Sequence, residues 1–279
     1  MTKKLAPEFV GDIPCYSQDV ANDYADYPDS GFDLTDEYAK TSFWVRSRNR
    51  LFKWLVQQEQ MKLGRGKLLD VGCGTGEFLQ HLKDLTDLSL TGSEIYIRGL
   101  QLAKLRQPEV DFIQYDVTGG ALDREFDIIT AFDVFEHIEQ DLLGMRNVYQ
   151  NLSEGGLFIL SVPQHQFLWS HLDDIVCHKR RYSRSELVKK LAASGFTVER
   201  ATSHVFLLFP LMCLTRLRDK ARPATSATQP NALSDRVTFH PLINWFFNKI
   251  MYVDETMIKI GMSLPVGGTL VVVARKMAH

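Results

Sequence analysis

Residues 67–79 read Lys-Leu-Leu-Asp-Val-Gly-Cys-Gly-Thr-Gly-Glu-Phe-Leu, and this stretch constrains the fold more than any other in the chain. A short apolar run ends in Asp70; Gly72, Gly74 and Gly76 then alternate, and a helix-compatible segment follows. A strand that enters a glycine-rich turn and leaves it as a helix lets backbone approach a bound nucleoside. A dinucleotide site needs a third glycine where Glu77 stands, to bring the pyrophosphate onto the helix N-terminus; a carboxylate there repels it. The Lys-Ser/Thr pair of a phosphate loop is missing as well. The turn suits a nucleoside without phosphates.

The pattern around the turn predicts an α/β domain. Residues 67–71, 88–94, 110–115, 126–132 and 157–162 read as short buried strands, and 76–85, 97–106, 140–152 and 183–194 as helices between them. Such alternation implies a parallel sheet with helices on both faces. Residues 196–205 read as a sixth strand, and Gly267-Gly268 precede a last strand over 269–275. A helix is expected over 37–60, after a polar, tyrosine-rich segment 1–36 without clear periodicity. Residues 206–265 hold two apolar helical stretches separated by a linker at 223–230.

At 279 residues with 45% hydrophobic and 24% charged side chains, the chain is long enough for one full α/β core. A net charge of −2 argues against general nucleic-acid binding. Four scattered cysteines contain no C-x-x-C pair, so neither a zinc site nor a disulfide framework is indicated. No secretory h-region is visible, and the apolar run 205–214 is about half of the ~20 residues that span a bilayer. The cytoplasm is the expected location.

Acids stand where a doubly wound sheet binds its ligand, beyond the carboxyl ends of the strands. Glu94, 24 residues after Asp70, ends the second strand near the offset at which an acid meets ribose hydroxyls. Asp116 follows the third strand.

Asp70-Val-Gly72-Cys-Gly74-Thr-Gly76 resembles motif I of the class I S-adenosylmethionine-dependent methyltransferases, and the resemblance covers roughly residues 40–205 and the last strand. It implies a Rossmann-like seven-stranded doubly wound sheet with the last strand antiparallel, an N-terminal lid helix and a helical insertion before that strand. The domain would run over 37–279, with 206–265 as a cap. It implies S-adenosylmethionine as cofactor, with Asp70 ordering the loop, Asp116 taking the adenine amino group and Val117 donating its N–H to the ring. Asp133 and Phe135, in Asp133-Val-Phe-Glu-His137, would border the sulfonium, where negative charge and an aromatic face favour a cation. His137 is read as either a structural hydrogen-bonding group or a catalytic one.

Two segments are similar to a bacterial subgroup acting on small-molecule or lipid-linked acceptors. In Phe43-Trp44-Val-Arg46 the resemblance offers Arg46 for the methionine carboxylate; the alternative is a helix with surface arginines. In Leu168-Trp-Ser-x-x-Asp173 through His178-x-Arg-Arg181-Tyr182, aromatic walls, a histidine and arginines suit acceptor binding. His178 and Tyr182 are the candidate general bases, with a loop-fixing hydrogen bond as the other reading of His178. The histidines and aspartates there match no compact ligand spacing, so no metal is expected. The apolar and basic residues of 206–262 fit either a cap over the acceptor or a peripheral contact with the inner membrane face. Two other classes remain: a non-catalytic S-adenosylmethionine-binding partner, and a nicotinamide-dependent oxidoreductase, which Glu77 disfavours.

Overall fold

The computed structural model describes residues 4–21, 42–221 and 239–277. The predicted helix positions 37–41, residues 22–36 of the N-terminal segment and the linker 223–230 lie outside the described residues.

In chain order the strands are β1 (Lys4–Leu5), β2 (Glu8–Val10), β3 (Ile13–Cys15), β4 (Gly66–Val71), β5 (Leu88–Glu94), β6 (Asp111–Gln114), β7 (Ala121–Leu122), β8 (Phe126–Phe132), β9 (Leu152–Pro163), β10 (Thr197–His204) and β11 (Thr269–Arg275). The helices are α1 (Phe43–Leu63), α2 (Glu77–His81), α3 (Ile97–Arg106), α4 (Asp141–Asn151), α5 (His171–Ile175), α6 (Arg184–Ala193), α7 (Phe209–Ala221) and α8 (Pro241–Lys259). One sheet runs β10-β11-β9-β8-β4-β5-β6-β3-β2, and β1 pairs with β7 apart from it.

The seven predicted strands form the body of this sheet, with β11 antiparallel to both β9 and β10. The chain leaves β4 toward β5 on one side and returns to β8 on the other, so strand order reverses between β4 and β8. A ligand crevice opens at the carboxyl ends there. The last four residues of β4 are all buried, which is why it reads as an unbroken apolar run. Leu69 and Val71 join the cluster under α4 and α6, while Leu68 joins the one under α1 to α3.

The sheet has nine strands rather than the expected seven, because 1–36 is not irregular throughout. Val10 pairs with Ile13 across Gly11-Asp12, and β3 lies parallel to β6. A two-residue Gly-Asp loop is a hairpin signal, with Gly11 at φ 65 supplying the left-handed backbone. Strands of three residues are too short for periodicity to reveal them.

The lid helix is also part of the core. Leu51, Phe52, Leu55 and Val56 of α1 are buried beside Phe78 and Leu79, and Phe52 stacks on Phe132 at 3.7 Å. Ser42 caps α1, and Asn244 Oδ1 accepts from the Phe43 N–H at 2.8 Å. On the helix's other side Glu255 of α8 accepts from Ser47 Oγ and Arg50. Asp254 accepts from the N–H groups of Phe206 and Leu207. These bonds anchor α8 onto α1 and onto the turn that follows β10. No helix among the described residues is long and apolar enough to cross a membrane.

Candidate active site

Gly72, Gly74 and Gly76 all have left-handed backbone, at φ 69, 55 and 77. A Cβ on Gly72 would stand 2.5 Å from a Val134 methyl, whereas one on Gly74 would meet nothing within 4 Å. Gly72 is therefore required by packing, and Gly74 leaves the outer face of the turn open to a ligand. Glu94 is buried at the end of β5; its Oε2 accepts from the Gly74 N–H at 3.0 Å and its Oε1 from the Ile95 N–H at 2.8 Å. Burial raises its pKa against these donors. Asp70 is buried too, accepts from Thr130 Oγ1 at 2.7 Å, and is pushed up to about 7 by desolvation. Glu77 opens α2 and accepts from Asn49 Nδ2 through both oxygens at 2.8 Å.

Asp116 follows β6, and its carboxylate accepts from the N–H and Oγ1 of Thr118. Val117 is buried, and its carbonyl accepts from Asn147 Nδ2. Asp70, Glu94 and Asp116 thus stand at the ends of neighbouring strands. The N-terminal segment reaches the same place. Gln114 Nε2 donates to the carbonyls of Ser17 and Ile95, Ser17 Oγ accepts from the Asp116 N–H, and the Ile97 N–H donates to Ala21. Sequence reasoning missed this strap, since nothing in Tyr16-Ser17 announces a partner 97 residues away.

At the end of β8, Asp133 has φ 57; its Oδ2 accepts from Arg48 Nη1 at 2.7 Å and its Oδ1 from Ser161 Oγ at 2.9 Å. Arg48, not Arg46, faces the crevice, because residues two apart on a helix point to different sides. Arg46 is exposed. The signal was present: Arg48 lies in the stripe of Trp44, Phe52 and Leu55 and stacks on the Trp44 ring at 4.8 Å. Phe135 does not border this space. It is fully buried against Phe158, so its placement beside a sulfonium is corrected to a core role.

The loop after β9 is built on Asp173, which is almost wholly buried. Its carboxylate accepts from His178 Nδ1 at 2.9 Å, Arg181 Nε at 2.7 Å and the Ser170 N–H at 2.9 Å. Those donors hold its carboxyl well below the usual range against a desolvation that raises it. Tyr182 is fully buried, its hydroxyl 2.6 Å from Asp141 Oδ2 and 3.0 Å from the Phe135 carbonyl. Burial and Asp141 push its pKa far up, so the expectation of Tyr182 as a base gives way to a structural role. His137 packs edge-on against His178, with ring centres 4.8 Å apart. Burial and then His178 lower its pKa to about 4, which leaves it neutral at pH 7. His178 points Nε2 toward Glu136, 3.8 Å from Oε1.

A family profile described as "Methyltransferase domain" matches residues 36–201, more than half of the chain. The chain belongs to the methyltransferase-domain family. A ubiquinone biosynthesis O-methyltransferase of Pseudomonas putida (strain W619) is 32% identical over 109 residues, 37% of this chain and 47% of that protein. A probable S-adenosylmethionine-dependent methyltransferase of Mycolicibacterium smegmatis is 24% identical over 58% of this chain and 62% of its own length. The chain spans about half the length of the curated relatives it matches. Phosphoethanolamine N-methyltransferase 2 of Haemonchus contortus, solved with S-adenosyl-L-methionine, superposes with a TM-score of 0.58 at 15% identity, over 92% of this chain and 60% of that one. An S-adenosylmethionine-dependent methyltransferase of Clostridium acetobutylicum gives 0.54 at 10% identity, over 88% and 98%. At these identities the likeness is one of methyltransferase fold.

Proposed function

We propose that this chain transfers the methyl group of S-adenosylmethionine to an oxygen, nitrogen or carbon nucleophile of a small-molecule or lipid-linked acceptor. One observation carries the reading: the open turn at Gly74 lies beside Glu94 at the end of β5, with Asp70 and Asp116 at the ends of the strands on either side of β5. The cofactor's sulfonium supplies an electrophilic methyl group.

Around it, Glu94 holds the ribose hydroxyls and is itself kept in place by backbone N–H groups. The Ser17–Gln114 strap closes the adenine end beside Asp116 and Val117. Arg48 is the candidate for the methionine carboxylate, held by Asp133 against β8. A preorganised crevice of this kind aligns acceptor and methyl, and such positioning supplies roughly 7–11 kcal/mol of barrier reduction. The acceptor's proton leaves to solvent, and Asp173 fixes the loop after β9 by orienting the His178 ring.

A lipid-linked acceptor is supported by exposed apolar residues on α7 and α8: Leu211, Leu214, Leu217, Leu242, Trp245 and Phe246. Trp245 lies under the ammonium of Lys249, an aromatic–cation pair suited to an anionic interface. The test incubates methyl-labelled S-adenosylmethionine with the protein and an extract of the source organism, with Glu94→Ala as control. Label in the organic phase that the variant fails to produce supports a lipid-linked acceptor. Label in the aqueous phase supports a soluble one and makes α7 and α8 a pocket cap. Absence of enzyme-dependent label in both phases contradicts methyl transfer and favours the non-catalytic binding reading.

A further inference from the structure

Glu136 is an anomaly that the methyl-transfer reading leaves unused. Its side chain is completely buried, and neither carboxylate oxygen has a hydrogen-bond partner among the described residues. A buried carboxyl in that condition loses its hydration without compensation, and a bound ion is one arrangement that would supply it. Arg48 and Arg181 act on it only at range, since Arg48 is paired with Asp133 and Arg181 with Asp173.

Two imidazoles stand against it. One ligand atom each from Glu136, His137 and His178 can be chosen so that all three lie within 4.8 Å of one another. In both rings the surroundings already fix the orientation. Asp173 engages His178 Nδ1, which turns Nε2 toward Glu136, and His137 hydrogen-bonds the backbone of Cys177. A carboxylate or backbone carbonyl on the outer nitrogen of a ligating histidine is the usual support of a metal site, since it sets the tautomer and the ring plane. Ligand atoms about 2 Å from one cation lie within about 4 Å of each other, so a small side-chain closure completes the set.

From this we infer that Glu136, His137 and His178 form a binding site for a divalent transition-metal cation. Two imidazoles and one carboxylate suit zinc, cobalt or manganese better than calcium, which prefers an all-oxygen shell. Three protein ligands leave at least one coordination position open. The site lies three residues beyond Asp133, at the carboxyl end of β8. Sequence spacing hid it, because Glu136 and His137 are adjacent while His178 arrives from another loop 41 residues later.

The test needs no methyl acceptor, so it stands or falls apart from the proposed activity. Chelator-treated protein is titrated with Co²⁺ by visible absorption and with Zn²⁺ by calorimetry. The same titrations follow on Glu136→Gln, His178→Ala and, as a control away from the site, His81→Ala. One equivalent is expected to bind with the absorption of a low-coordinate cobalt site. Glu136→Gln and His178→Ala should weaken it at least about 10–100-fold, and His81→Ala should leave it unchanged. Glu136→Gln keeps the side-chain volume and removes no hydrogen bond, so the metal-free variant should melt no lower than the parent. Absence of binding in the parent, or equal affinity and spectrum in both site variants, overturns the inference.

Discussion

Asp70 offers a test in which the buried strand-end acid reports on itself. Its side chain is buried between β5 and β8, and desolvation outweighs the Thr130 bond, carrying its pKa from 3.8 to about 7. Between those values the folded protein keeps a proton that the unfolded chain has released. The stability due to neutral Asp70 is therefore full below about pH 4 and is lost as pH rises through about 7. A gap of about three units corresponds to about 4 kcal/mol in total. Asp70→Asn keeps the size and an acceptor for Thr130 but cannot ionise. Urea unfolding of both proteins at pH 5 and pH 8 isolates the effect, because other titrations cancel in the difference. The variant should gain roughly 2–3 kcal/mol on the parent between those two pH values. A difference that does not change with pH would mean Asp70 is already charged in the folded state at pH 5, and the burial argument would be wrong.

Five further substitutions separate structural from functional roles. Tyr182→Phe should cost about 1–3 kcal/mol in denaturant unfolding, through the lost bond to Asp141, while methyl transfer by the folded fraction changes less than about twofold; a large drop in turnover restores Tyr182 as a base. Gly72→Ala combines a left-handed backbone with a clash at Val134 and should lose about 2–3 kcal/mol of stability. Gly74→Ala should lose only about 1–2 kcal/mol yet weaken S-adenosylmethionine binding tenfold or more (about 1.4 kcal/mol), because its methyl group enters open ligand space. Equal stability losses in the two variants would refute this contrast. Arg48→Met should lower methyl transfer at least about tenfold and Arg46→Met hardly at all, since only the former leaves Asp133 without its ion pair; the reverse order in steady-state assays would return Arg46 to the site.

The sheet was legible because its strands carry unbroken apolar runs and acids sit at or just beyond their ends. Asp70, Glu94 and Asp116 are all found where the chain pattern put them. The Glu8–Cys15 hairpin was not legible, since three-residue strands offer no period and only Gly11-Asp12 marks the turn. Side-chain identity within a motif failed in a consistent way. Phe135 and Tyr182 are residue types that suit a cofactor or acceptor wall, yet each is fully buried and serves packing. Arg48 rather than Arg46 reaches Asp133 by helix phase, which an apolar stripe at Trp44 and Phe52 already encoded. The pairing of Glu136 with His178 depends on a loop folding back onto the end of β8, and no local pattern announces it.

The most direct test of the central claim is calorimetric titration of the full chain with S-adenosylmethionine and, separately, with NAD. Glu94→Gln is run beside the parent, because it retains an acceptor for the Gly74 N–H and so preserves the turn. The account predicts one S-adenosylmethionine site, at least tenfold weaker in the variant (about 1.4 kcal/mol), and no heat with NAD. Tight NAD binding, or S-adenosylmethionine binding that ignores Glu94, would contradict it.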